Sequence, residues 1–220
     1  FGSNKPIATD EEWDKLCDGL NKLGKIAADR GFKLCFHHHM ATVVQTFEET
    51  KRLMDNTDPR YVYLCFDTGH FTFSKEDAVK AAKEFGPRIG HVHLKDIRPD
   101  MMEKLTPRAS SSARRFSRAA SPFRVTAAST SGVFKALHDA HYEGWFIVEA
   151  EQDPAKANPL EYAKMAREYI KKTGRYLIRR ITNGEDSFRY RWHRYDGQNA
   201  RHQLQRNPHA EVVAVCARTE

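Results

Sequence analysis

The chain has 220 residues, 40% of them hydrophobic and 30% charged, with a formal net charge of +7. That length suits one domain with a sizeable core, and no apolar run approaches the roughly 18 residues that a spanning helix needs, so no membrane partner is expected. No charged-then-apolar leader is present, and Phe1-Gly2-Ser3-Asn4 does not read as a natural start. The four cysteines, Cys17, Cys35, Cys65 and Cys216, form no Cys-x-x-Cys pair, which points to a disulfide-free, cytoplasmic protein.

In chain order, Thr9-Asp10-Glu11-Glu12 reads as a capping box, in which the threonine oxygen and a later glutamate satisfy orphan helix amides. Trp13, Leu16, Cys17, Leu20, Leu23 and Ile26 then recur at helical spacing, and Gly31 closes the helix. Residues 33–37 read as a strand. Thr46-Phe47-Glu48-Glu49 opens a second helix that ends near Asn56-Thr57-Asp58-Pro59. Tyr61 to Phe66 is a second strand, and Ser74 caps a third helix ended by Gly86-Pro87. Ile89 to Leu94 is a third strand, Val133 to Ala140 a helix, Trp145 to Val148 a fourth strand, and Asn158-Pro159 starts a last helix, Leu160 to Lys172. Strand and helix alternate four times and the strands are mostly apolar, the signature of a parallel α/β sheet covered on both faces.

Two stretches break this pattern. Residues 107–131 hold five Arg and no acid, residues 173–220 hold nine Arg and five acids, and neither holds a Lys. Together they contribute +9 and leave −2 for the rest, which has 16 Lys and 6 Arg. The positive charge therefore lies outside the α/β pattern, and no nucleic-acid partner is expected. Residues 107–131 read as an irregular loop. The 173–220 tail is irregular until Ala210 to Val215, which reads as one strand.

The polar residues cluster at the C-terminal ends of the strands. They are His37-His38-His39, Asp67-Thr68-Gly69-His70, His91-Val92-His93-Leu94-Lys95-Asp96 and Glu149-Ala150-Glu151. A lone buried His is usually a core residue, but four such clusters converging on one rim suit a divalent cation. His91 and His93 share a face of their strand.

These strings resemble the myo-inosose-2 dehydratases, within the xylose-isomerase-like (AP endonuclease family 2) TIM-barrel superfamily. The resemblance rests on the run from Phe36 to Thr46, on Phe66 to His70, on His91 to Arg98 and on Val148 to Leu160. It covers about 9–106 and 132–172. It implies the last four βα units of a (β/α)8 barrel, within 1–172, with four earlier units missing and apolar surface left uncovered. It further implies a metal held at His37, Asp67, His93 and Glu149, with Mn or Co the expected ion and glutathione a further implied cofactor. His37 stands where the superfamily carries a glutamate, so His39 or water are alternatives at that position. The implied reaction is dehydration of a ketoinositol, scyllo-inosose, through enolisation and β-elimination of water. Glu149 or Lys95 would be the base and His70 or His39 the acid, with His38, His91 and Gln152 touching the substrate. The structural alternatives are a rim ion pair for Lys95-Asp96 and a loop role for Gln152.

Before the fourth helix the family carries a loop ending Phe-Thr-Val-Pro-Gly-Asp-Gly. Plausible codons for Ser121 to Ser131 read one nucleotide earlier permit that motif, so 107–131 reads as a frameshifted stretch. Residues 192–197 read the same way permit a Gly-x-Gly-x-x-Gly fingerprint, and the tail reads as a fused neighbouring reading frame. The encoded residues hold no such loop there, so no NAD binding is expected. The rival readings are a sugar isomerase or epimerase on the same fold, a non-catalytic fragment, and, more distantly, a DNA-repair endonuclease. A small cyclitol or sugar is the expected partner, and a homo-oligomer stays open.

Overall fold

The computed structural model describes residues 5–97, 120–121, 127–149 and 158–173. Helix α1 (Asp10–Ala28) starts at the expected capping box. Thr9 Oγ1 accepts from the Glu12 amide at 3.3 Å, and the Glu12 carboxylate accepts from the Thr9 amide at 2.7 Å. Its end is set by Gly31 at φ +79°, which lets the Phe32 amide reach back to the Ala27 carbonyl at 3.0 Å. Strand β1 (Leu34–His37) leads to α2 (Phe47–Asp55), opened by a second capping box between Thr46 and Glu49. Strand β2 (Val62–Asp67) runs directly into a short helix, α3 (Thr68–Phe73). Helix α4 (Ala78–Phe85), a 3-10 turn over Gly86–Arg88 and strand β3 (Ile89–Leu94) follow. A two-residue strand β4 (Asp96–Ile97) pairs antiparallel with β5 (Ala120–Ser121). Helix α5 (Ala127–Asp139), strand β6 (Phe146–Val148) and helix α6 (Pro159–Thr173) complete the described elements.

The sheet order is β1-β2-β3-β6, all parallel. Alternation along the strands divides its two faces. Val62, Leu64, Phe66, Val92 and Leu94 have no solvent exposure and form the core with Leu53, Ala81, Ala82, Phe134 and Leu137 of the helices. Phe134 meets Phe146 edge-on, with centroids 5.9 Å apart, and so ties α5 to β6. The intervening positions, Cys65, Asp67, His91, His93 and Glu149, fall on the other face. That face is therefore the polar one, and the sequence pattern alone assigns it. The edge strands β1 and β6 are half-buried along their whole length.

Three local expectations change. Asp77, not Ser74, caps α4, accepting from the Val79 and Lys80 amides at 2.8 and 3.1 Å. Ser74 instead ends α3, a helix absent from the sequence reading. The stretch read as an irregular loop holds β5 and the first turn of α5. Its other residues, 107–119 and 122–126, lie outside the described residues, as does 174–220.

On α1 the buried stripe is Trp13, Cys17 and Gly24, while Leu23 and Ile26 are exposed. Gly24 determines that choice, because a Cβ there would lie 2.5 Å from the Tyr61 carbonyl oxygen, whereas one at Gly19 would meet nothing within 4 Å. Gly24→Ala is accordingly expected to destabilise the fold by about 1–3 kcal/mol. Gly19→Ala in the same helix is expected to stabilise it by about 0.5–1 kcal/mol. Urea unfolding of both variants checks the pair, and equal effects of one sign would contradict this packing.

Candidate metal centre

The polar face is organised by Asp67, the last residue of β2, whose side chain is fully buried. Its Oδ1 accepts from the Gly69 and His70 amides at 2.8 and 2.9 Å and so caps α3. That leaves Oδ2 facing the centre. His37 Nε2 lies 3.3 Å from it, His93 Nδ1 3.5 Å, Lys95 Nζ 3.6 Å and His70 Nε2 3.8 Å. Glu149, just past β6, places Oε2 at 2.9 Å from Lys95 Nζ and 3.5 Å from His93 Nδ1. Glu149 is held there because its amide donates to the Leu94 carbonyl at 3.1 Å and so continues the β3–β6 pairing.

Lys95 is fully buried. Thr68 clamps its backbone, since the threonine hydroxyl donates to the Lys95 carbonyl at 2.6 Å and accepts from the Lys95 amide at 2.9 Å. Gly69 leaves room for its stem, because a Cβ there would meet the Lys95 side chain at 2.7 Å. The ammonium thus faces both carboxylates.

The histidines separate by depth and contact. His38 is fully buried, its Nε2 accepts from the Asp67 amide at 3.2 Å, and its ring lies on Phe71 with centroids 3.8 Å apart. The expected substrate contact at His38 has no accessible ring surface, and this side chain fixes the Asp67 backbone instead. His39 donates from Nδ1 to the Met40 carbonyl at 2.8 Å and packs on His70 with centroids 3.9 Å apart. His37, two residues earlier, reaches Asp67 at 3.3 Å. His91 lies beside His93, centroids 5.3 Å apart, one step deeper in the strand. Gln152 lies outside the described residues.

Burial pushes the His38 imidazole down to about 3 and His91 down to about 4. The same desolvation drives His70 further down, against the pull of Asp67. Burial alone would raise Asp67, but the Lys95 ammonium first, and hydrogen bonding from His37 with it, hold it well below the usual carboxylate range. Asp67 is therefore an anion in a buried ring of nitrogens.

Among the described residues, Asp67, His93 and Glu149 present ligand atoms within 4.8 Å of one another. Two donors bound at about 2.1 Å to one ion, at angles between 90° and 110°, lie about 3.0–3.4 Å apart. The observed 3.5 Å separations of His93 from both carboxylates lie just beyond that spacing, close enough for an ion to draw them in. They are too long for good hydrogen bonds, and His93 Nδ1 is buried without one. The fourth expected ligand, His37, groups with Asp67 and His70 on one side and with Cys65 and His93 on the other. Thr68, Gly69 and Cys65 carry no sequence signal of these positions: the first two lie within the Asp67-Thr68-Gly69-His70 run, and Cys65 lies within the apolar run of β2.

A parallel α/β sheet whose strand ends gather His, Asp and Glu defines a class of barrel proteins with a cation-type centre at the C-terminal rim. The chain belongs to the xylose isomerase-like TIM barrel family, whose profile matches residues 1–173. It is 49% identical over 172 residues to an inosose dehydratase of Geobacillus thermodenitrificans, a match that covers 77% of this chain and 57% of the relative, so the chain spans little more than half of that protein. A probable 3-DHS dehydratase, AsbF, from Bacillus anthracis shares the fold at a TM-score of 0.55 and 16% identity, covering 76% of this chain and 58% of its own. The IOLI protein, solved with a zinc atom, gives 0.55 and 18%, covering 78% and 59%.

The lowered imidazoles set a pH dependence for the metal-free protein. His38, His70 and His91 stay neutral when folded and titrate near 6.5 when unfolded, so the unfolded state takes up protons first as pH falls. These imidazoles leave stability little changed between pH 7 and pH 8 and are expected to lower it by about 3 kcal/mol or more between pH 7 and pH 5. Urea midpoints at the two pH values check this, and a midpoint unchanged or higher at pH 5 would contradict it.

Proposed function

We propose that this chain carries the metal-binding rim of a hydro-lyase that dehydrates 2-keto-myo-inositol (scyllo-inosose) to a trihydroxycyclohexanedione. The observation that carries the reading is the convergence of Asp67, His93 and Glu149 beside a fully buried Lys95. The resemblance to inosose dehydratases supports the substrate class. Asp67, His93 and Glu149 would hold the ion, with Mn or Co the favoured choice for a set of two carboxylates and one imidazole. A bound divalent cation supplies Lewis acidity to a ketone oxygen, which acidifies the neighbouring C–H.

The chain's own residues divide the remaining work. Glu149 is part-exposed, whereas Asp67 is buried and committed to capping α3. The Glu149 carboxylate is therefore the proton acceptor that a substrate can reach, and Lys95, 2.9 Å away, orients it and is the alternative base. The proton leaves the carbon next to the ketone, its electron pair forms the enol double bond, and the β-hydroxyl departs with a proton as water. His39 suits that second proton transfer better than His70, because burial keeps the His70 imidazole neutral and a poor donor. Among the described residues Glu149 is the part-exposed carboxylate at the centre, and a histidine, His37, stands where the superfamily carries a second acid, which favours elimination over the two-base proton shuttle of an epimerase. Among the described residues no helix is long and apolar enough to cross a membrane, and Cys17, Cys35 and Cys65 are unpaired, which supports a cytoplasmic setting.

The test incubates the purified protein with scyllo-inosose and, separately, with ketohexoses, with Mn2+ or Co2+ and with or without glutathione, following products by NMR. Loss of water from scyllo-inosose without ketohexose epimerisation is expected. Glu149→Gln is expected to lose about 100-fold or more in kcat. Epimerised ketohexose, or an unaffected Glu149→Gln variant, would overturn the reading.

A further inference from the structure

One buried donor lies next to the centre and has no part in the reaction above. Cys65 precedes Asp67 by two residues on β2, so its side chain shares the polar face one layer deeper. His37 is its direct partner across the β1–β2 pairing. Ligand atoms of His37, Cys65 and His93 all lie within 4.8 Å of one another. His93 therefore belongs to two donor sets. The upper one joins it to the carboxylates of Asp67 and Glu149, and the lower one joins it to a thiol and a second imidazole.

We propose that the centre offers two alternative cation positions: an oxygen-rich one at Asp67, His93 and Glu149, and a softer one at His37, Cys65 and His93 that selects Zn2+. This rests on the metal reading of the rim and adds to it a device for choosing the metal. Softness separates the two sets, since thiolate and imidazole favour zinc, whereas carboxylates suit manganese. In a closed tetrahedral site, bonds of about 2.3 Å to sulfur and about 2.05 Å to nitrogen put those donors about 3.6 Å apart. The lower set lies within 4.8 Å, so binding requires the two imidazoles to close the remaining gap, and Asp67 Oδ2, 3.3 Å from His37 Nε2, is at hand as a fourth ligand. As sulfur binds, its proton passes to solvent. A cation in the lower position leaves Glu149 paired with Lys95, so zinc occupies the protein without engaging the carboxylate assigned to proton transfer.

The experiment titrates the purified protein with Co2+, Zn2+ and Mn2+. In the wild type, Co2+ should give a near-ultraviolet thiolate-to-cobalt charge-transfer band, and Zn2+ should displace Co2+ and abolish it. In Cys65→Ser the band should vanish and Zn2+ affinity should fall about tenfold or more, while Mn2+ affinity stays within about twofold. If the wild type binds Mn2+ but shows no thiolate band, or if Cys65→Ser binds Zn2+ as tightly as the wild type, the lower position is overturned and the upper one stands. If the wild type binds none of the three ions, both fall. A wild-type spectrum without the band decides against the lower position even if the variant fails to fold, and Cys35→Ser, which should keep the band, separates Cys65 from the other thiol, on β1.

Discussion

An ionised carboxylate with no access to water is costly unless its lone pairs are met by donors or cations. Asp67 is in that position, and much of the polar face follows from how it is satisfied. One oxygen takes two amides of α3, so strand β2 turns into helix without a loop. The other faces three imidazoles and an ammonium. The Asp67 amide is in turn held by the buried His38 ring. A single residue thus ends a strand, starts a helix and fixes the charge around which the rim is arranged.

The remaining supports are backbone devices rather than side-chain pairs. Thr68 holds Lys95 through both of its main-chain polar groups, and Gly69 admits the lysine stem. Glu149 is placed by the hydrogen bond its amide donates to the Leu94 carbonyl, which prolongs the β3–β6 ladder. Because the ladder sets the strand register, and the register sets which side chains meet, the apolar core on one face determines the geometry on the other. Phe66, Val92 and Leu94 have no exposure, and their polar neighbours Asp67, His93 and Lys95 follow from that burial.

Much of this was legible in the sequence for physical reasons. The capping boxes at Thr9 and Thr46 declare their helices through local hydrogen bonds, and the strand cores at Val62 to Phe66 and Ile89 to Leu94 declare theirs through apolar runs. The clustering of His, Asp and Glu just past those runs located the centre. What the sequence did not show depends on contacts between distant residues. Helix α3 is too short to leave a periodic signal and needs Asp67 to start it. Gly24 turns α1 only because Tyr61 lies beneath it. His38 reads as one of three adjacent histidines, and only the packing of Phe71 against it separates a buried support from a rim ligand. The stretch read as irregular still carries the start of α5: Ala127 and Ala128 are good helix formers and Ser129 to Gly132 are not, so the segment depends on the burial of Val133, Phe134 and Leu137 further along the same helix.

The central claim is that Asp67, His93 and Glu149 bind one divalent cation. The most direct measurement is a crystal of the protein grown with Mn2+, read by anomalous scattering. An anomalous peak is expected within about 2.0–2.3 Å of a carboxylate oxygen of Asp67, a carboxylate oxygen of Glu149 and a ring nitrogen of His93. A fully loaded crystal with its peak elsewhere, or with Lys95 Nζ still bridging the two carboxylates and no ion between them, would contradict it.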